Sequence, residues 1–76
     1  MTLDQLKPGH AGIVSAVGGE GPLRLRLLDM GIIPGTHVQV QKVAPMGDPI
    51  QIRLRGYELT LRLEDAARIS LQEVAK

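Results

Sequence analysis

Two histidines are the side chains of this sequence best suited to bind a metal ion or to transfer a proton. They are His10 and His37. A transition-metal site needs several donor atoms that converge, and the histidines do not have a ligand spacing such as H-x₃-H. We therefore predict no metal site and no bound cofactor, with His10 and His37 as the candidates for a site if one exists. The side chains that could assist them are Glu20, Asp29, Met30, Met46 and Asp48.

No pattern in the chain indicates catalysis. Ser15 and Ser70 lie in predicted strands, and neither has the sequence signature of an activated nucleophile. The glycine-rich residues 18–21 are not followed by the Lys-Ser/Thr pair of a phosphate loop. We therefore predict that the protein is not an enzyme.

Four basic side chains on predicted strands raise the question of nucleic-acid binding. They are Lys42, Arg53, Arg55 and Arg62. Nine basic and eight acidic residues give a net charge of +1, and Tyr57 is the only aromatic residue. This balance supplies little long-range attraction to phosphates and no rings on which several bases could stack. We expect no nucleic-acid binding, and a nucleic-acid-binding small barrel stays open as an alternative.

Length and composition indicate one small domain, residues 1–76. A chain of 76 residues has room for one hydrophobic core. Cysteine is absent, which fits a reducing compartment. The first residues do not resemble a signal peptide, and no apolar run is long enough to cross a membrane. We expect a cytoplasmic protein that does not insert into the membrane.

Residues 22–30 are predicted to form the single longer helix. Leu23, Leu27 and Met30 follow the 3.6-residue period of one apolar stripe. Gly31 stands where a helix commonly ends in a left-handed residue. The competing interpretation is a strand, because leucine and arginine also alternate here, but a strand would leave the Gly31 stop without a role.

Short strands account for most of the remaining sequence. In residues 12–17, Ile13 and Val17 are predicted to share one face, with Val14 and Ala16 on the other. Residues 36–40 alternate in the same way, and a β-bulge near residues 41–42 would bring the next valine back into phase. A last strand is predicted at residues 68–72, and short helical turns are predicted near 3–6 and 64–67.

A hairpin at residues 50–63 shows the clearest alternation. We predict a two-residue loop at Gly56-Tyr57, with glycine at a position that needs a positive φ. The predicted facing pairs are Leu54 with Leu59, Ile52 with Leu61, Ile50 with Leu63, Arg55 with Glu58 and Arg53 with Thr60. Five short strands and one helix together predict a mainly β fold, a small, strongly bent antiparallel barrel.

Several motifs combine into a resemblance that covers nearly the whole chain. They are Arg26-Leu27-x-x-Met30-Gly31, Pro34-Gly35, Ala44-Pro45-x-Gly47-Asp48-Pro49, Leu59-x-Leu61-Arg62 and Ala66-x-x-Ile69. Together they resemble the FeoA family of ferrous iron transport accessory proteins. The resemblance implies an SH3-like β-barrel with a helix inserted after the first strand. Asp65 stands where the family pattern leads us to expect glutamate, and we expect either carboxylate to lie in an exposed turn.

The resemblance also implies a function and a partner. It implies a cytoplasmic accessory of Fe(II) uptake that binds the FeoB-type permease through the permease's cytosolic GTP-binding domain. The protein would either alter nucleotide turnover or hold permease subunits together. A metal-binding or metal-sensing SH3-like domain, as at the C-terminus of a metal-responsive repressor, stays open as an alternative. A homo-oligomer that covers an exposed sheet edge also stays open.

The candidate partner-binding residues lie on two predicted elements. Arg24, Leu25 and Arg26 are on the outer side of the helix, and Met46 is at the tip of a proline-containing surface loop. Exposed apolar side chains on rigid elements are typical of protein interfaces.

Overall fold

A computed structural model describes residues 1–73, whose secondary structure is mainly β. The elements are a 3₁₀ turn at Leu3–Gln5, strand β1 at Ala11–Val17, helix α1 at Pro22–Asp29, β2 at His37–Val43, β3 at Ile50–Leu54, β4 at Tyr57–Leu61, helix α2 at Leu63–Ala66 and β5 at Ile69–Glu73. The strands form one antiparallel sheet in the order β4-β3-β2-β1-β5. The predicted architecture, five strands with a helix after the first, is confirmed.

Each of these elements places aliphatic side chains in or against one hydrophobic core. Successive strand residues point to opposite faces of the sheet, so alternate residues are buried. Leu27 of α1, Leu3 of the 3₁₀ turn and Ala66 of α2 complete this core. The largest fully buried side chains are Leu3, Leu27, Ile32, Ile52, Leu54, Ile69, Val14, Val38 and Val40.

Helix α1 ends in a Schellman motif, as the glycine predicted. The Ile32 N–H donates to the Leu27 carbonyl at 3.1 Å, and the Gly31 N–H donates to the Leu28 carbonyl at 3.0 Å. Gly31 has a φ of 92°, which only glycine adopts without a steric cost. Leu27 and Ile32 are both fully buried, so the stop also fixes which side of α1 faces the core. The alternative of a strand at these residues is therefore excluded.

The predicted faces of β1 are wrong. Val14 and Val17 are both buried in the core, while Ala16 is exposed and Ile13 is partly exposed. The register against β5 shifts between Val14 and Ala16, which leaves Ser15 as an extra residue. Such a bulge reverses the alternation from that point on, and the sequence signals it only weakly.

The bulge predicted in β2 is confirmed. Val40 pairs with Ile52 of β3, and the next pair is Lys42 with Gln51, so Gln41 is the extra residue. The bulge turns Val43 towards the core, where it is partly buried.

The hairpin exists, but its predicted register is wrong by two residues. The loop is Arg55-Gly56, with φ of 51° and 83°, and Tyr57 already belongs to β4. Both central residues of a type I′ turn need a positive φ, and Arg55 adopts one despite its side chain. The observed pairs are Leu54 with Tyr57, Arg53 with Glu58, Ile52 with Leu59, Gln51 with Thr60 and Ile50 with Leu61. A shift of two residues keeps every side chain on its predicted face, so the alternation could not reveal it.

The two edge strands of the sheet are treated differently. Along β5, the N-terminal segment adds a bridge between Thr2 and Ser70, and the Leu71 N–H donates to the Met1 carbonyl at 2.7 Å. The predicted turn near residues 3–6 holds this segment, since the Gln5 side chain accepts a 3.0 Å hydrogen bond from the Thr2 N–H. Along β4, no segment within residues 1–73 pairs with the outer edge.

Candidate docking surface

Two of the predicted partner-binding residues are the most exposed large apolar side chains of residues 1–73. Leu25, on the outer side of α1, is 61% exposed, and Met46 is 93% exposed. Neither side chain contributes to the core, so neither is needed for folding through burial. The structure therefore leaves both of them available for contact with another molecule.

An ordered loop presents Met46. The Ala44 N–H donates to the Pro49 carbonyl at 3.0 Å, and the Gly47 N–H donates to the Ala44 carbonyl at 2.7 Å. The Asp48 carboxylate accepts a 2.8 Å hydrogen bond from the backbone N–H of Leu63, where α2 begins. These bonds fix the backbone at both ends of the loop, so binding at Met46 would cost little backbone entropy, and the loss would fall on the rotamers of the Met46 side chain.

The two arginines of α1 are tied to the barrel. The Arg24 Nε donates to the Val17 carbonyl at 3.3 Å, and the Arg26 guanidinium forms an ion pair of 3.2 Å with the Asp65 carboxylate. Both arginines stay largely open to solvent and can still contact a partner. These two contacts connect α1 to β1 and to α2.

The expectation that Asp65 is exposed is wrong. Asp65 is only 9% exposed, because it lies in α2 facing Arg26. The sequence offers no local signal for this contact, since 39 positions separate the two residues. Helix α2 thus anchors both candidate elements, α1 through Asp65 and the Met46 loop through the N–H of Leu63.

Two shallow grooves flank the outer edge of β4, and the sequence did not indicate them. One lies between α1 and β4 and is lined by Arg26, Met30, Thr60, Leu61, Arg62 and Asp65. The other shares Thr60, Leu61 and Arg62 and is bounded by Asp48, Pro49 and Glu64. Thr60, Leu61 and Arg62 therefore line both grooves.

The two histidines lie at different points along β2. His37 is exposed at the start of β2, and the His10 carbonyl accepts a 3.1 Å hydrogen bond from the Val40 N–H. Val40 is three positions after His37, which corresponds to roughly 10 Å between their backbones along the strand. Within residues 1–73, no three histidine, aspartate or glutamate side chains lie close enough to hold a metal ion.

Acidic and neutral side chains surround the basic side chains of the sheet. Arg53 lies between Gln39 and Glu58 on the neighbouring strands, and the guanidinium of Arg62 is 3.8 Å from the Glu64 carboxylate. This mixture does not make the continuous positive stripe that phosphate backbones require. In the described part of the chain, no helix combines the length and hydropathy needed to span a bilayer.

Comparison with known proteins identifies the family. The FeoA domain family matches residues 1–73. A fusion of Fe(2+) transport protein A with the Fe(2+) transporter FeoB, from Porphyromonas gingivalis, is 36% identical over 99% of this chain. The chain belongs to the FeoA family. It spans only 9% of the length of that fusion protein.

Solved FeoA structures have the same fold. The FeoA-like protein of Clostridium acetobutylicum is 36% identical and has a TM-score of 0.92, with 100% of this chain and 88% of that chain covered. The FeoA of Stenotrophomonas maltophilia, described as a prokaryotic SH3 domain protein, is 24% identical and has a TM-score of 0.84, with 95% and 89% covered. The SH3-like fold implied by the resemblance is thus confirmed.

Proposed function

We propose that this FeoA-family protein is a non-enzymatic, cytoplasmic accessory of Fe(II) uptake that docks on an FeoB-type permease. The observation that carries the proposal is the fusion protein, in which a FeoA-family segment and FeoB belong to one chain. A covalent link holds two domains at a high effective concentration. Where the two proteins are separate chains, a binding surface has to supply the same proximity.

The surface proposed for this contact combines Leu25 of α1 with Met46 of the proline-containing loop. Both are exposed and apolar, and both stand on elements that α2 anchors. Binding would remove these side chains from water without reorganising the barrel, which favours affinity. Arg24 and Arg26 stand on the same helix as Leu25 and would supply charged contacts at the rim.

The test uses the variants Leu25→Glu and Met46→Glu with the purified cytosolic GTP-binding domain of the permease. We expect each variant to weaken binding in calorimetry by about tenfold or more, because a charge would be buried in an apolar contact. Gln39→Glu is the matched control, since it adds the same charge at an exposed position of β2. Unchanged binding by both variants with an intact circular dichroism spectrum would exclude this surface.

The rate of GTP hydrolysis separates the two possible mechanisms. If the protein regulates the permease, the wild type changes the rate, and the variants that weaken binding lose the effect. If the protein is a scaffold, the rate stays constant while cross-linking of permease subunits depends on the protein. A wild-type protein that binds no part of the permease would contradict the proposed function as a whole.

A further inference from the structure

The outer edge of β4 carries backbone groups that have no partner within residues 1–73. The two-residue loop Arg55-Gly56 makes Leu54 and Tyr57 a hydrogen-bonded pair, and such pairs alternate along an antiparallel ladder. The pairs of Leu59 and Leu61 with β3 are therefore hydrogen-bonded as well. It follows that the N–H and C=O groups of Glu58 and Thr60 point away from β3.

Arg62 continues this edge by one residue. Its backbone is extended, with φ of −71° and ψ of 148°, and its carbonyl accepts hydrogen bonds from Asp65 and Ala66 at the start of α2. By the same alternation, its N–H points outward. The edge thus offers three outward donors and two free acceptors to another strand, since the third carbonyl is occupied.

The side chains along this edge complement those of an identical strand. If two copies of β4 pair antiparallel with Thr60 facing Thr60 of the second copy, Glu58 faces Arg62 of the second copy, and Arg62 faces its Glu58. The Arg62 side chain is 76% exposed, and within residues 1–73 it forms one ion pair, the 3.8 Å contact with Glu64. Opposite charges that face each other across strands stabilise the pairing.

The inner side of the same register is apolar. Leu59 is only partly buried in the single chain, and it would face the buried Leu61 of the second copy. A register shifted by two residues towards the loop leaves Arg62 without a carboxylate. A shift by two residues the other way moves Arg62 opposite Thr60 and leaves Glu58 facing the start of α2, so Glu58 then has no basic partner on the edge. One register therefore satisfies both faces.

We propose that two copies of the chain dimerise by antiparallel pairing of their β4 edges, centred on Thr60. Four backbone hydrogen bonds join them, two between the Thr60 residues and two from Arg62 N–H groups to Glu58 carbonyls. The charge pattern favours a second copy over an unrelated strand, because β4 itself supplies the complementary sequence. This proposal does not depend on the proposed permease contact.

The first test measures the mass of the full chain by light scattering and sedimentation from micromolar to millimolar concentration. We expect a concentration-dependent dimer in low salt. Glu58→Arg and Arg62→Glu each create like-charge pairs and should weaken dimerisation by roughly tenfold or more. The double variant with both changes restores opposite pairs and should recover the dimer. If the double variant stays as weak as the single ones, the register is wrong.

The second test removes the central hydrogen bonds. Thr60→Pro deletes an N–H that faces away from β3, a position where an edge strand tolerates proline, and it should abolish the dimer. Thr60→Val keeps the N–H and serves as the matched control. A wild type that is monomeric at all concentrations, or a dimer that Thr60→Pro does not affect, would overturn the proposal. Protection of the Thr60 amide only when the permease domain is added would assign this edge to a strand of the partner instead.

Discussion

The two edge strands of the sheet differ in whether another segment of the chain pairs with them. The chain's own first residues cover β5, through the Thr2–Ser70 bridge and the hydrogen bond from Leu71 to Met1. No segment of residues 1–73 covers β4, although it is just as long and also lies at an edge. Unpaired edges invite association, and proteins usually block them. The difference shows that this small domain pairs one edge of its sheet with its own first residues and leaves the other edge unpaired within residues 1–73.

The covered edge should carry more of the stability. Leu3 anchors the covering segment and is fully buried, whereas Leu59 on β4 is only partly buried. We expect Leu3→Ala to lower the free energy of unfolding by about 2–5 kcal/mol, as for other buried leucines. Leu59→Ala should cost about 1 kcal/mol, since water already reaches part of its side chain. Urea denaturation measures both losses in the free energy of unfolding. Equal losses would show that the covered edge does not carry more of the stability.

A smaller loss of stability is expected at the hydrogen bond that joins β4 to the end of α1. The Tyr57 hydroxyl donates a hydrogen bond to the Met30 carbonyl at the end of the helix. Tyr57→Phe removes this bond and should lower the free energy of unfolding by about 0.5–1.5 kcal/mol. Thr60→Val, which changes an exposed side chain on the same strand, is the control and should have almost no effect. If Tyr57→Phe is neutral as well, then β3 alone holds β4.

The difference between the two edges can also be measured without any substitution. Hydrogen exchange at low protein concentration reports whether each edge amide is bonded. We expect the Leu71 amide to exchange at least roughly a hundredfold more slowly than the Thr60 amide. Similar rates at the two positions would show that the N-terminal cover opens too easily to distinguish the edges.

The sequence was informative wherever local chemistry decides the structure. The Gly31 stop, the stripe that buries Leu27 and the bulge at Gln41 all follow from patterns a few residues long. The exposure of Leu25 and Met46 was predicted in the same way, from one residue and its neighbours. Their role in binding stays a prediction.

The wrong predictions have a common physical cause. Each concerns two local structures that the sequence pattern fits equally well, and contacts between distant residues decide which one forms. A hairpin turn at Arg55-Gly56 or at Gly56-Tyr57 keeps the same faces, and only packing selects one. The bulge at Ser15 is set by the register with β5, and the burial of Asp65 is set by Arg26 on another helix. Single-sequence patterns contain none of these contacts.

The three methionines happen to mark three distinct environments. Met1 contributes the carbonyl that bonds to β5, Met30 sits at the end of α1 beside Tyr57, and Met46 stands almost entirely in solvent. Isotope labelling of their terminal methyl groups would give a spectrum with one probe for each region. A single titration could then show which part of the molecule a ligand touches, with no mutation and no attached dye.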